Sequence, residues 1–401
     1  MLNFYSGISN SVNSKSAVQG CLEQAYGEET NGNCNLLIIH STVGHNFPQI
    51  LAAAQEACPE AEVIGCTGSG VIGREGVSES MRAMAIMTIE GPECAVVSLD
   101  GLDGQNSREF GERAAMELKS KLDGINMIYV LTAGLDVAGD KVIEGIEKVF
   151  GPDISLFGAT AADNGKAKGT FQFHGNKVME QGIILVGLAD PSLEIIMGAH
   201  HGSVPLDNMT FEVTKSDENR IIELDGKPAW PALMARVGLP EDSEPSETLP
   251  ITGLGVTLDP EGQSAYDNPQ ILRVPIKVSD DNQSFYLPAS CNEGTVLTLM
   301  QRDEQYIFDG LDGLMNRMTS QLAGRRPAAV FHADCMARGR LMFNRVLKDE
   351  IIAKMQHPLC GDDDVPWLGL YGYSEYCKIG GKNYFHSYTT ALFSLVRREA
   401  A

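Results

Sequence analysis

Phe331 to Arg340 (FHADCMARGR) concentrates the groups best suited to chemistry: an imidazole at His332, a carboxylate at Asp334, a thiol at Cys335 and a guanidinium at Arg338. An apolar run, Ala328 to Val330, precedes them, so the segment reads as a strand handing over to a helix. Such junctions aim unpaired backbone N–H groups at whatever lies above them, and an arginine three residues after a cysteine adds a fork of donors for an anion. Ligand binding and thiol catalysis both use this set, while a small buried hydrophobe is the plain alternative for Cys335.

Downstream, the helix predicted after Gly339 carries Phe343, Val346, Leu347, Ile351 and Met355 on one stripe, with Glu350 on the same apolar face. A carboxylate there needs a partner or a bound ligand, unless it snorkels at the stripe's edge. The terminal segments Trp367 to Cys377 and Tyr384 to Leu395 alternate like strands around KIGGKN. With Gly380 and Gly381 as a two-residue turn, Ile379 pairs with Lys382 and Glu375 falls opposite His386. Cross-strand neighbours lie about 5 Å apart at Cβ, so the carboxylate can hold the imidazole's tautomer; a one-residue slip removes the pair. Cys335 as nucleophile, His386 as base and Glu375 as orienter would make a hydrolase or transferase. His200 and His201 end a probable strand on opposite faces, so at most one reaches a common site. The glycine-rich Gly65 to Gly73 lacks both the GxGxxG order and a Walker lysine, and reads as a tight turn beside the site.

The elements that must position these groups alternate. Helices are predicted over Ser16 to Ala25, Phe47 to Cys58, Arg108 to Leu122 and Asp140 to Val149. Strands are predicted over Asn35 to His40, Met81 to Ile89, Cys94 to Leu99, Met127 to Leu131 and Ile154 to Phe157. From Phe171 to Met197 adjacent strands with turn residues replace the alternation. A helix over Pro228 to Val237, an acidic loop over Pro240 to Pro250, further strands and a helix over Tyr306 to Leu322 follow. The expectation is an α/β, mixed α+β chain of two mixed-sheet domains with flanking helices, 30–226 and 227–397. No internal repeat is visible in the sequence.

A net charge of −22 with no Lys/Arg-rich stretch excludes nucleic acid as a partner. Nine cysteines without a close CxxC pair favour reduced thiols over a zinc or disulfide framework. No apolar run reaches the roughly 18 residues of a membrane span, and the first residues lack a signal-peptide pattern, so the expectation is a cytoplasmic protein.

Several segments together resemble the FIST sensory family, in the order FIST-N then FIST-C: VIGCTGSGVI (63–72), LFGATAADNG (156–165), VTKSDENRIIELDGKPAW (213–230), the Cys335 and Arg338 segment, Glu350, GLYGYSE (369–375) and FHSYTTAL (385–392). The resemblance implies a non-enzymatic, stand-alone bacterial sensor of a small molecule such as an amino acid. Some members form a haem-binding nitric-oxide sensor group, NosP, that regulates a partner histidine kinase. Under the haem expectation His332 is the candidate metal ligand, with His201 and His386 as rivals. Cys335, Arg338, Glu350, Tyr371, Glu375 and His386 are the candidate ligand contacts, and a homodimer is the candidate assembly.

Overall fold

The computed structural model describes residues 1–27, 34–266, 268–338 and 345–399, with the backbone only of 208, 338 and 345–347. Among the described residues the strands form three six-stranded sheets and one of eight strands. The first sheet runs Asn3–Ser9, Met84–Glu90, Cys34–Ser41, Glu62–Thr67, Gln172–His174, Lys177–Met179. The second runs Cys94–Asp100, Gly182–Leu188, Met127–Thr132, Ser155–Thr160, Glu375–Ile379, Lys382–His386, and the third Leu193–His200, Thr390–Arg397, Pro327–Cys335, Trp367–Gly372, Val71–Gly73, Gly76–Ser78.

All three sheets share one plan. Two antiparallel strands lead to a parallel pair, and an antiparallel hairpin closes the far edge. Each parallel pair is joined through a crossover helix, Phe47–Ala57, Gly139–Phe150 or Arg345–Cys360, as parallel strands require. The closing hairpins are exchanged in a cycle. The hairpin after the first parallel pair closes the third sheet, that after the second closes the first, and that after the third closes the second. Three copies of one unit, within residues 3–90, 94–188 and 193–397, therefore make a threefold structural repeat. Patterning suffices to build each copy while side-chain identity drifts, which is why no repeat shows in the sequence. The sheets also cross the sequence halves, because the 375–386 hairpin completes a sheet begun at Cys94.

The inner faces of the three sheets meet in one core, where Tyr129, Phe157, Phe331 and Phe393 pack at tilted and edge-on angles with centroids 4.9 to 5.5 Å apart. Each outer face takes a helix pair: Ser14–Tyr26 with Phe47–Ala57, Ser107–Lys121 with Gly139–Phe150, and Glu304–Leu322 with Arg345–Cys360. Burial on both faces explains the continuous apolar runs NLLIIH and MIYVLT. In the second pair the helices touch backbone to backbone at Gly145, where a Cβ would sit 2.3 Å from the Arg108 carbonyl oxygen.

The third unit differs at one link. Its first strand and first helix are separated by residues 203–302, which build the eight-stranded sheet around their own small core of Phe211, Trp230, Phe285 and Leu297. Among the described residues no helix is long and apolar enough to cross a membrane.

Three local expectations change. The strand expected to end at Val330 continues to Cys335, because both its neighbours continue pairing, and only a 3-10 turn, Met336–Arg338, follows. The helix is seen from Arg345; its buried face is Lys348, Ile351, Ile352, Met355 and Leu359, and Glu350 is exposed. That phase is set partly by a buried ion pair, Lys348 Nζ to Glu79 Oε2 at 2.5 Å, so Glu350 needs no buried partner. Phe343 lies outside the described residues. Finally, each long terminal strand is two strands: Trp367–Gly372 and Glu375–Ile379 belong to different sheets, as do Lys382–His386 and Thr390–Arg397.

Candidate ligand cavity

The threefold plan brings the carboxyl ends of the parallel pairs together. Ser69 N–H donates to Tyr371 O at 2.8 Å, Ala162 N–H to Thr67 O at 2.8 Å, and Thr160 N–H to Ser374 O at 2.9 Å, so each unit is laced to the next. Ligand sites in such sheets lie outside the carboxyl ends, where connections diverge. A cavity of about 710 Å³ opens there, between the second and third units and the inserted region. The core contributes Gly134 and Leu135, Thr160, Gly165 to Lys168, Cys335 to Ala337, Tyr373, Ser374 and Tyr388. The insertion contributes the opposite wall, Asp242 to Ser246, Leu249 and Val274 to Asp280.

The loop 163–169 is preset by one buried carboxylate. Asp163 Oδ1 accepts N–H from Lys166 (3.1 Å) and Ala167 (2.9 Å), and Oδ2 accepts from Lys168 (2.7 Å) and Gly169 (3.0 Å). The Tyr373 hydroxyl donates to the same carboxylate, which ties this loop to the break between the 367–372 and 375–379 strands. Lys166 and Lys168 are thereby held at the cavity rim.

Tyr388 sits at the other strand break with φ +58°, a left-handed conformation costly for a bulky residue. Its hydroxyl donates to Thr252 O at 3.2 Å, so the strained residue reaches from the core to the insertion. Thr389 O, next along, accepts the Cys335 N–H at 2.9 Å.

Cys335 lines this cavity, and its thiol is pushed well above the ordinary range by burial, with the Glu375 carboxylate adding to the effect. Such a sulfur behaves as an apolar wall. Arg338 closes the 3-10 turn beside the cavity-lining Ala337, and its side chain lies outside the described residues. Tyr371 is buried beneath the site, with its N–H on Gly70 O at 3.0 Å.

The Glu375–His386 register is as the hairpin turn predicts. Both residues are fully buried. His386 Nε2 lies 3.3 Å from Cys377 O, its ring is edge-on to Tyr266, and burial together with the nearby Arg273 guanidinium lowers its pKa to about 3. It is a neutral core imidazole at neutral pH. His332 faces the Glu304–Leu322 and Arg345–Cys360 helices, with Nε2 2.9 Å from Thr390 Oγ1 and the ring edge-on to Trp367. His200 Nε2 approaches Tyr306 O at 3.2 Å, while His201 accepts the Ser203 N–H at Nδ1 and approaches Gln270 O at 3.1 Å.

None of the histidines is among the residues lining the cavity, and among the described residues no three His, Cys, Asp or Glu side chains gather as a metal would need. Haem iron takes its axial ligand from an imidazole, thiolate, thioether or phenolate. The histidines expected to ligate it, His332, His201 and His386, are not placed to do so in this cavity.

Asp163, Ser374 and Tyr388 were not singled out in the sequence, while Tyr373 enters only as one of the tyrosines of GLYGY. LFGATAADNG, GLYGYSE and FHSYTTAL contain them, but neither the loop cage nor the strand breaks have a periodicity that announces them.

Two family models match in succession, the FIST N domain over residues 35–227 and the FIST C domain over 232–378. Two uncharacterised proteins of Mycobacterium tuberculosis, from strains CDC 1551 / Oshkosh and ATCC 25618 / H37Rv, are each 21% identical over 393 residues, covering 96% of this chain and 97% of theirs. Among solved structures, a cyanuric acid hydrolase from A. caulinodans aligns with a TM-score of 0.36 and 9% identity over 100% of both chains. T. maritima PurL complexed with ATP aligns with a TM-score of 0.21 and 10% identity over 99% of this chain and 72% of that one. Overlaps this low carry no argument.

Proposed function

Because this chain belongs to the FIST family, whose domains are small-ligand sensory domains in signalling, we propose that it senses a small organic molecule held in the cavity between the threefold core and the insertion. The cavity itself carries this reading. At about 710 Å³ it falls within the range of small-molecule sites, and its polar floor is already satisfied: Thr160 Oγ1 accepts the Ser374 N–H and the Tyr373 hydroxyl is spent on Asp163. That leaves apolar wall from Leu135, Leu249, Val274, Ile276 and Met336 for the ligand's body, and charged groups only at the rim.

A ligand bridging two packed bodies favours their closed arrangement by its differential affinity, which is what a sensor needs. We assign the output to a separate histidine kinase, whose autophosphorylation should change when this protein is added with its ligand and not without it.

Calorimetry with the amino acids as first probes should give binding that Leu249→Trp, a larger side chain at a half-buried wall position, removes, with the melting transition showing that the variant is folded. Binding untouched by that substitution would put the ligand elsewhere. Expression with haem supplied is the second arm, and a Soret band lost in a single His→Ala variant would replace the organic ligand with haem.

A further inference from the structure

Cys94–Asp100 is the edge strand of the second sheet, paired on one side only, with Gly182–Leu188. Ala133 N–H donates to Gly182 O at 2.8 Å and Asn126 N–H to Leu188 O at 3.0 Å, so the even-numbered residues of 182–188 turn their main chain toward Met127–Thr132. The odd-numbered ones serve the edge strand, and the register sets Ala95, Val97 and Leu99 opposite them. The main-chain groups of Val96 and Ser98 therefore point away from the sheet. Lys121 Nζ donates to Val96 O at 2.7 Å on that open side.

The half-buried Ser98 side chain shares its face with Val96, which belongs to the central core. Across from it the exchanged hairpin, Gln172–His174 with Lys177–Met179, closes the first sheet against Glu62–Thr67. His174 pairs with Ile64 there, and so stands diagonal to Glu62 on one face. Ser98 Oγ lies 2.6 Å from His174 Nδ1, and His174 Nε2 lies 2.9 Å from Glu62 Oε1. With the ring neutral, the carboxylate takes its Nε2–H, which leaves Nδ1 to accept the Ser98 hydroxyl. The hairpin is tied to the edge strand separately, by Lys177 Nζ on Asp100 Oδ2 at 2.9 Å.

We propose that Ser98, His174 and Glu62 form a serine-nucleophile triad that hydrolyses small esters. His174 Nδ1 takes the hydroxyl proton as Ser98 Oγ attacks the ester carbonyl carbon, and Glu62 steadies the imidazolium. The oxyanion forms against the outward Ser98 N–H, the nucleophile's own amide, with the Lys121 ammonium next along the same edge. The carbon–oxygen bond to the alcohol breaks, and the alcohol leaves with the proton from His174. Water then attacks the acyl carbon and gives a proton to Nδ1. The bond to Oγ breaks, Ser98 regains its proton and the acid departs.

The His174 and Glu62 side chains keep 24% and 40% exposure, so the site opens directly on solvent, which suits a short acyl group. Glu62 opens its strand, whereas the ligand cavity lies at the carboxyl ends, and none of the three residues lines that cavity. The triad therefore stands independently of the sensory reading.

The test is a fluorophosphonate probe, which labels activated serines, applied to the intact wild-type protein and followed by peptide mapping. The expected result is a label on Ser98, with hydrolysis of p-nitrophenyl acetate lost as the label is taken up. His174→Gln should slow both by about 100-fold, and Glu62→Gln by about 10-fold or more, with circular dichroism showing both variants folded. A wild-type Ser98 left unlabelled, or one labelled equally fast in His174→Gln, would overturn the assignment. The wild-type map needs no variant to fold.

Discussion

The threefold core and the inserted region 203–302 are built from the same kinds of strand to different standards. In the core, the four long strands of each sheet run six to nine residues, both faces are covered, and every sheet is completed by a shorter hairpin from another unit. The insertion has two-residue strands at Lys277–Val278 and Phe285–Tyr286 and register shifts in both pairings of its longest strand. Exchange of hairpins makes the core one cooperative body, whereas the insertion has one small cluster to hold it. Regions with few buried apolar contacts open first, and a wall that can move is what a ligand site between two bodies needs. The cavity lies on this seam.

The largest expected effects separate the two bodies directly. Phe331→Ala removes a ring from the core where the three sheets meet and should cost about 3–5 kcal/mol, read as a shifted midpoint of a single denaturant transition. Trp230→Ala should cost a similar amount, about 3–5 kcal/mol, but in the insertion alone. Hydrogen exchange should then rise over 203–302 while the core stays protected. If both variants give one shared transition, the contrast between the bodies is lost.

Acid comes next. Residues 203–302 contain no histidine, whereas the core buries His386 and His40 with pKa values lowered to about 3 and about 4, mainly by burial. The unfolded chain, with imidazoles near 6.5, binds protons that the native core refuses. Their contribution is therefore complete above about pH 6.5 and is lost as pH falls towards 4 and then 3, at about 1.4 kcal/mol per pH unit for each ring. Denaturation of the wild type from pH 7 to 4.5 should show this slope in the core transition, and His386→Gln should flatten it.

A smaller, local effect is expected at the seam. Asp163→Asn leaves four N–H groups to one amide oxygen and should cost about 1–3 kcal/mol, with faster exchange at Lys166 to Gly169 and weaker ligand binding. Unchanged binding with faster exchange would separate the loop from the ligand.

Much of the fold is legible locally. The KIGGKN turn sets the Ile379–Lys382 pairing and hence the Glu375–His386 register, and the amphipathic helices fall within a few residues of their periodicity. What the register does not convey is orientation: His386 turns to the Cys377 carbonyl and to Tyr266. Glu350 illustrates a second limit, since the burial phase of its helix is set partly by Lys348 meeting Glu79 from residues far away in the chain. The breaks at Tyr373 and Tyr388 are a third. GLYGYSEYC keeps its alternation straight through the point where the chain leaves one sheet for another, because both sides of the break are buried.

By itself the sequence determined the element types, the terminal hairpin's register and the family resemblance, because these rest on periodicity, turn residues and motifs read over a few positions. Only the tertiary structure decided that the hairpins are exchanged around a threefold core, that Cys335 lines a wall and His332 a helix interface, and that the cavity forms where an insertion meets three strand ends. Any alternating apolar hairpin can complete a sheet edge. Which edge it completes is set by packing between residues hundreds of positions apart, and no local pattern encodes that choice.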